Sequence, residues 1–264
     1  PAWFAAVSAL VFAAQTLNFP IGSGVSGHML GGVLAAVMLG VPFAVLSLTL
    51  VLTVQALLFS DGGVAALGAN VLNMALIGAG AGTALRFFKK ETERFPVFFP
   101  AALVLVSFLG VMGAALACGL ELALSKTAPG AEIVSAMVRI HAAVGLVEGL
   151  VTAGLYYGWK VLHRRLHANP FSLVAVSLAF VIFLSPWASA RPDGLEFLAE
   201  HYRFWVSRIP FWVPFPEYRV PAIGPGPLSA WSAMLAGIFF IAWAAGALFR
   251  ALRENAMANL PRGK

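Results

Sequence analysis

Charge is scarce in this chain: 11% of its 264 residues are charged, against 60% that are hydrophobic. A soluble domain carries roughly 25% charge, so the deficit excludes an ordinary water-soluble fold. Cysteine is nearly missing too. The single Cys118 excludes an intrachain disulfide and every Cys-Cys or Cys-His zinc spacing. Set inside an apolar block, it reads as a small buried residue. Catalytic motifs are absent. No G-x-x-x-x-G-K-[ST] phosphate loop occurs, because Lys126-Thr127 lacks the needed glycines; nor does any Ser-His-Asp or H-E-x-x-H arrangement. The chain is therefore read as no enzyme, with no ATPase route and no resident cofactor of its own. No internal repeat of the kind many secondary transporters carry is visible.

What is present is apolar and continuous. Hydrophobic blocks cover 1–19, 27–39, 42–60, 64–86, 97–124, 132–159, 170–187 and 228–249, and mean hydropathy is +0.88. Most reach the roughly 20 residues needed to cross a ~30 Å hydrocarbon core; 27–39 is short. Unbroken runs argue against a barrel, which needs alternation. The fold class expected is all-α: a polytopic helical membrane bundle of about eight hydrophobic segments.

The net charge of +6 sorts by loop and gives no reason to expect nucleic acid. With eight spans, three basic regions share one side: 86–94, 160–165 and the tail after 249. That side holds eleven Lys/Arg against three Asp/Glu, and the opposite side five against seven. Basic loops stay cytoplasmic. Both termini of this chain are thus expected inside a plasma (inner) membrane, with 20–27, 60–63, 125–131 and 188–227 outside.

Four stretches carry chemistry. The first is NFPIGSGVSGHMLGG, residues 18–32, a glycine-rich turn leading into a helix. Ser26 reads as an N-cap that puts His28 in the first helical turn. There the helix dipole disfavours a cation and keeps the imidazole in its metal-binding neutral form. Two readings stand: His28 is a metal ligand, or it only hydrogen-bonds a loop carbonyl. The second stretch holds the turn Asp61-Gly62-Gly63, then Asn70 and Asn73 at i, i+3 on one helix face. These amides either glue helices together or touch substrate. Gly78, Gly80 and Gly82 add a small-residue face. The third is RIHAAVGLVEG, where His141 and Glu148 lie two turns apart and Glu148 sits near mid-membrane. It is either functional or held in an internal structural bond. The fourth is the long segment 188–227, with the turn Pro192-Asp193-Gly194 and a short interfacial helix through LEFLAEHYRFW, Tyr202 and Trp205 at headgroup depth. Its expected role is a lid or packing element.

These stretches, in this order, resemble the cobalt/nickel substrate-capture subunits of energy-coupling-factor transporters. The resemblance rests on NFPIGSGVSGHMLGG, QALLFSDGGVAALGANVLNM, RIHAAVGLVEG and SPWASARPDGLE, the last similar to the PDGLE region of a fused auxiliary subunit. It implies two units, a metal-capture domain over 1–187 and a PDGLE-type loop with one further helix over 188–264. It also implies a divalent transition metal, Co²⁺ or Ni²⁺, as transported substrate. The partners implied are a membrane coupling subunit and cytoplasmic ATPase subunits. The family's ligands are a terminal amine, a second-position histidine with its backbone nitrogen, and the S-G-H histidine, which maps to His28. Asn18, Ser26, Asp61, Asn70, Asn73, His141 and Glu148 are supporting candidates. The family's Met-His start and first helix do not precede Pro1, so an upstream piece is expected to be missing. The alternatives are a passive or gradient-driven permease, with Glu148 and His141 as a relay, and a structural subunit that binds nothing.

Overall fold

The computed structural model describes residues 1–22, 24–88, 98–167, 169–204 and 212–258. The first helix, α1 (Ala2–Gln15), is buried at every position from Phe4 to Gln15. Fourteen residues span only about 21 Å, so α1 is a short central helix covered by its neighbours. A short antiparallel ribbon follows, β1 (Phe19–Gly22) with β2 (Val25–Gly27). Then come α2 (Gly32–Leu39) and α3 (Val41–Val54), the latter continuing as a π-turn through Phe59. Next, α4 (Leu67–Asn70) runs on as a π-helix to Ala79 and, from Ala81, as a 3₁₀ helix to Phe88. The remaining helices are α5 (Phe98–Leu124), α6 (Gly130–Leu166), α7 (Pro170–Leu184), α8 (Gly194–Tyr202) and α9 (Pro227–Ala258).

Each of the eight expected apolar blocks contains a helix. Among the described residues, however, only six helices are long and apolar enough to cross a membrane: Val41–Phe59, Leu67–Phe88, Phe98–Leu124, Gly130–Arg165, Pro170–Trp187 and Pro227–Ala256. The other two, α1 and α2, have 14 and 8 residues and lie within the bundle. The basic residues Lys89, Lys90, Arg94, Arg262 and Lys264, together with Trp205, fall outside the described residues.

Helices approach closely where glycine allows it. A Cβ on Gly149 of α6 would stand 2.6 Å from the Val104 carbonyl oxygen of α5, so α5 and α6 pack backbone to backbone. The expected glycine face of α4 is used in part. Gly82 meets Ala36 of α2, and the Gly78 carbonyl meets Gly110 of α5, while Gly80 faces open space. At the centre Phe12, Phe59 and Tyr218 cluster, with centroids 5.3 Å apart for Phe12–Phe59 and 4.7 Å for Phe59–Tyr218. Large aliphatic side chains such as Leu105, Leu109, Leu116 and Leu120 of α5 are exposed, as the lipid-facing side of a spanning helix requires.

Candidate metal-capture site

The ribbon decides where His28 sits. Phe19 pairs with Gly27 and Pro20 with Ser26, which reverses the chain and delivers His28 to the short loop between β2 and α2. Ser26 is therefore a strand residue and not the N-cap of a helix. Its hydroxyl donates to the Arg191 carbonyl at 2.7 Å, and its N–H to that of Pro192 at 2.9 Å. The helix begins four residues beyond His28, with Gly31 in the left-handed region (φ 72°) at the cap and no side-chain cap. The dipole argument for a neutral imidazole thus fails. Burial opposes charge on the His28 ring. The carboxylates of Asp193 and Asp61, the Met29 carbonyl and Glu148 outweigh it and raise the pKa above its usual value.

The ring is oriented by its own loop. His28 Nδ1 lies 3.0 Å from the Met29 carbonyl oxygen. A carbonyl can only accept, so Nδ1 carries a proton, and in the neutral ring Nε2 is the nitrogen that keeps its lone pair. That is the arrangement of a metal-ligating histidine, whose second nitrogen is tied to a carbonyl or carboxylate. The His28 side chain as a whole is 29% exposed, and Nε2 faces the Asp193 carboxylate, with Oδ2 3.8 Å away.

Glu148 holds the far side of the same loop. It is fully buried, and its two oxygens accept the backbone N–H groups of Leu30 at 2.8 Å and Gly31 at 2.9 Å. Gln15 of α1 donates to the Leu30 carbonyl at 2.7 Å. The backbone just after His28 is thereby clamped from α1 and α6, which favours the internal-bond reading of Glu148 over a relay.

The other candidates are distributed around this loop. Asn18 accepts the Ser189 N–H through its carbonyl at 2.8 Å. His141 donates from Nδ1 to the Met137 carbonyl at 2.9 Å, and its ring lies against Gly194. Asn70 and Asn73 part company: Asn70 donates to the Gly62 carbonyl at 3.3 Å, Asn73 to Glu121 at 2.9 Å. Both bonds join segments, the first within the 62–70 turn and the second between α4 and α5. Asp61 accepts the Tyr218 hydroxyl at 2.5 Å, and Gln55 donates to that hydroxyl at 2.9 Å.

Sequence reasoning left two groups unassigned. Gln15 sits in an apolar block with nothing to mark it. Asp193 could have been placed, because Asp193-Gly-Leu-Glu196 has the spacing of a capping box. It is one: Asp193 Oδ1 accepts the N–H groups of Leu195 and Glu196, both at 2.8 Å, and Glu196 accepts the Asp193 N–H at 3.1 Å. Among the described residues, no three His, Cys, Asp or Glu side chains come together as a metal cage.

A helical membrane bundle that presents one oriented imidazole on a clamped loop fits a component handling a metal ion, and comparison with known proteins gives the family. Residues 2–166 match CbiM, the cobalt uptake substrate-specific transmembrane region, and the chain belongs to that family, which is one of membrane transport and not of enzymes. It is similar to a protein of Archaeoglobus fulgidus assigned by name as a fused nickel transport protein NikMN, with 41% identity over 190 residues, 69% of this chain and 62% of the relative. A cobalt transport protein CbiM of Geobacter sulfurreducens shares 30% identity, covering 60% of this chain and 46% of the relative. The crystal structure of a transition metal transporter aligns with TM-score 0.52 and 31% identity, over 61% of this chain and 76% of that one. The chain spans less than two thirds of the length of both named relatives. It is a multi-pass membrane protein of a cobalt/nickel transport family.

Proposed function

We propose that this chain is the substrate-capture subunit of an energy-coupling-factor uptake transporter for Co²⁺ or Ni²⁺ in the plasma membrane. His28 takes the ion on Nε2 at the outer face. The further nitrogen donors are those the resemblance to the capture subunits implies. A membrane coupling subunit and cytoplasmic ATPases drive release inward, since no phosphate-loop motif occurs in this sequence. Nitrogen donors suit both ions. Residues 1–187 form the capture unit and 188–264 a fused PDGLE-type unit, with both ends of this chain on the cytoplasmic side.

The observation that carries the reading is the histidine's presentation: Nδ1 tied to the Met29 carbonyl, Nε2 turned to the Asp193 carboxylate, and the following backbone held by Glu148. The test is accumulation of radioactive nickel or cobalt in cells lacking their own high-affinity system. The expected result is uptake that requires both His28 and the co-expressed ATPases. Uptake indifferent to the ATPases would reject the active mechanism in favour of a passive permease, and uptake unchanged in His28→Ala would reject the site.

A further inference from the structure

The family match ends at residue 166, yet the segment after α7 touches the His28 loop directly. Ser26 and Asn18 bond the backbone of residues 189–192: Ser26 N–H to the Pro192 carbonyl at 2.9 Å, Ser26 Oγ to the Arg191 carbonyl at 2.7 Å, and the Ser189 N–H to the Asn18 carbonyl at 2.8 Å. On its other side the segment presses on α6. A Cβ on Gly194 would stand 2.7 Å from Ile140 Cγ2 and 2.9 Å from His141 Cε1. Only glycine lets the chain lie this close. The segment is therefore fixed between β2 and α6, and the residue it fixes there is Asp193.

The two oxygens of Asp193 are divided. Oδ1 caps α8 through two N–H groups, while Oδ2 stands 3.8 Å from His28 Nε2. That separation is too long for a hydrogen bond. It suits two donors sharing one ion: bonds of about 2.0–2.2 Å from a divalent metal to nitrogen and oxygen sum to slightly more than the gap, so an ion fits between them at a wide angle. Nε2 is the nitrogen that the Met29 carbonyl leaves free, and the side chains of His28 and Asp193 are 29% and 25% exposed, open enough for an ion to enter.

We propose that Asp193, delivered by the PDGLE segment, is a further ligand for the transported ion, contributing a carboxylate oxygen opposite His28 Nε2. The proposal rests on the assignment of His28 as a ligand. It gives the segment after α7 a direct part in capture. It also brings an anionic oxygen to a set of nitrogens, which partly offsets the charge of a divalent ion that has lost its water.

The test is calorimetric titration of the purified intact gene product with NiCl₂ and with CoCl₂. Asp193→Asn is the informative variant, because asparagine keeps an oxygen to cap α8 while removing the charge. Asp193→Ser keeps the cap and removes the second oxygen. The expected result is at least a tenfold loss of affinity in both, with thermal unfolding of the metal-free proteins unchanged. Wild-type affinity in Asp193→Asn and Asp193→Ser, with binding lost in His28→Ala, overturns the role of Asp193 and leaves His28 standing. Equal binding in wild type and His28→Ala overturns the parent assignment. If either variant misfolds, a crystal structure of the nickel-loaded wild type decides: an ion bonded to His28 Nε2 with Asp193 Oδ2 beyond bonding distance overturns the proposal, and an ion bonded to both supports it.

Discussion

Removing the Glu148 carboxylate should loosen the His28 loop without touching His28. The carboxylate makes two bonds, to Leu30 N–H at 2.8 Å and Gly31 N–H at 2.9 Å, in a position fully shielded from water. A hydrogen bond to a charged partner contributes about 1.5–3 kcal/mol. Glu148→Gln keeps one acceptor and turns an NH₂ toward the other N–H, so the held conformation loses roughly one such bond. Glu148→Ala loses both and leaves two buried donors unpaired, about 3–6 kcal/mol. Only the closed loop points His28 correctly, so apparent affinity falls by the fraction of molecules in which it is closed. Each 1.4 kcal/mol beyond the loop's own margin is then about tenfold in affinity. Hydrogen exchange at the Leu30 and Gly31 amides, read beside a nickel titration, measures both effects. We expect faster exchange at these two amides and weaker binding, graded from Gln to Ala. Native protection of both amides in Glu148→Ala would refute the clamp, and fast exchange with unaltered metal affinity would refute the link between loop order and capture.

Two further outcomes follow from packing and titration. Gly149→Ala puts a Cβ 2.6 Å from the Val104 carbonyl oxygen and should destabilise the α5–α6 contact by about 1–3 kcal/mol, whereas Gly154→Ala, with nothing within 4 Å, should be neutral or gain up to ~1 kcal/mol of helix propensity; equal melting temperatures for the two would contradict the close contact. Tyr218 is shifted well above its usual pKa of 10.0 by burial and by Asp61. The folded chain therefore keeps a proton that the unfolded chain releases, and stability should decline as pH rises past the unfolded value. Tyr218→Phe should cost about 1 kcal/mol near neutrality and flatten that decline, as alkaline unfolding curves would record; an identical slope in the two proteins would dismiss the shift.

The architecture was legible in the residues because membrane helices announce themselves by uninterrupted apolar length. Length says least where a helix is surrounded by protein. The apolar block reads as 1–19, whereas α1 stops at Gln15, a buried polar side chain that serves the Leu30 carbonyl. The glycine-rich entry at 22–32 was visible as a turn. Its ribbon was not, since Ser26 ahead of an apolar run looks like a cap until the partner strand and Pro192 are seen. Glu148 stood out as an ionisable group in an apolar block, but its partners are backbone groups 117 and 118 positions away, which side-chain chemistry cannot reveal. Asn73 and Glu121 likewise meet only because α4 and α5 pack together. The cap formed by Asp193 follows local spacing, and its place beside His28 follows from a tertiary contact that spacing does not encode.

The docking of residues 189–194 onto the ribbon has a consequence for how firmly this stretch is held. Because α7 and the PDGLE segment share one polypeptide, their encounter with residues 18–28 is intramolecular, and a short tether corresponds to an effective concentration in the millimolar range. Three backbone-directed bonds then act together with the apolar packing of Leu195 and Leu198 among Ile133, Met137 and Ile140 of α6 to keep the segment seated.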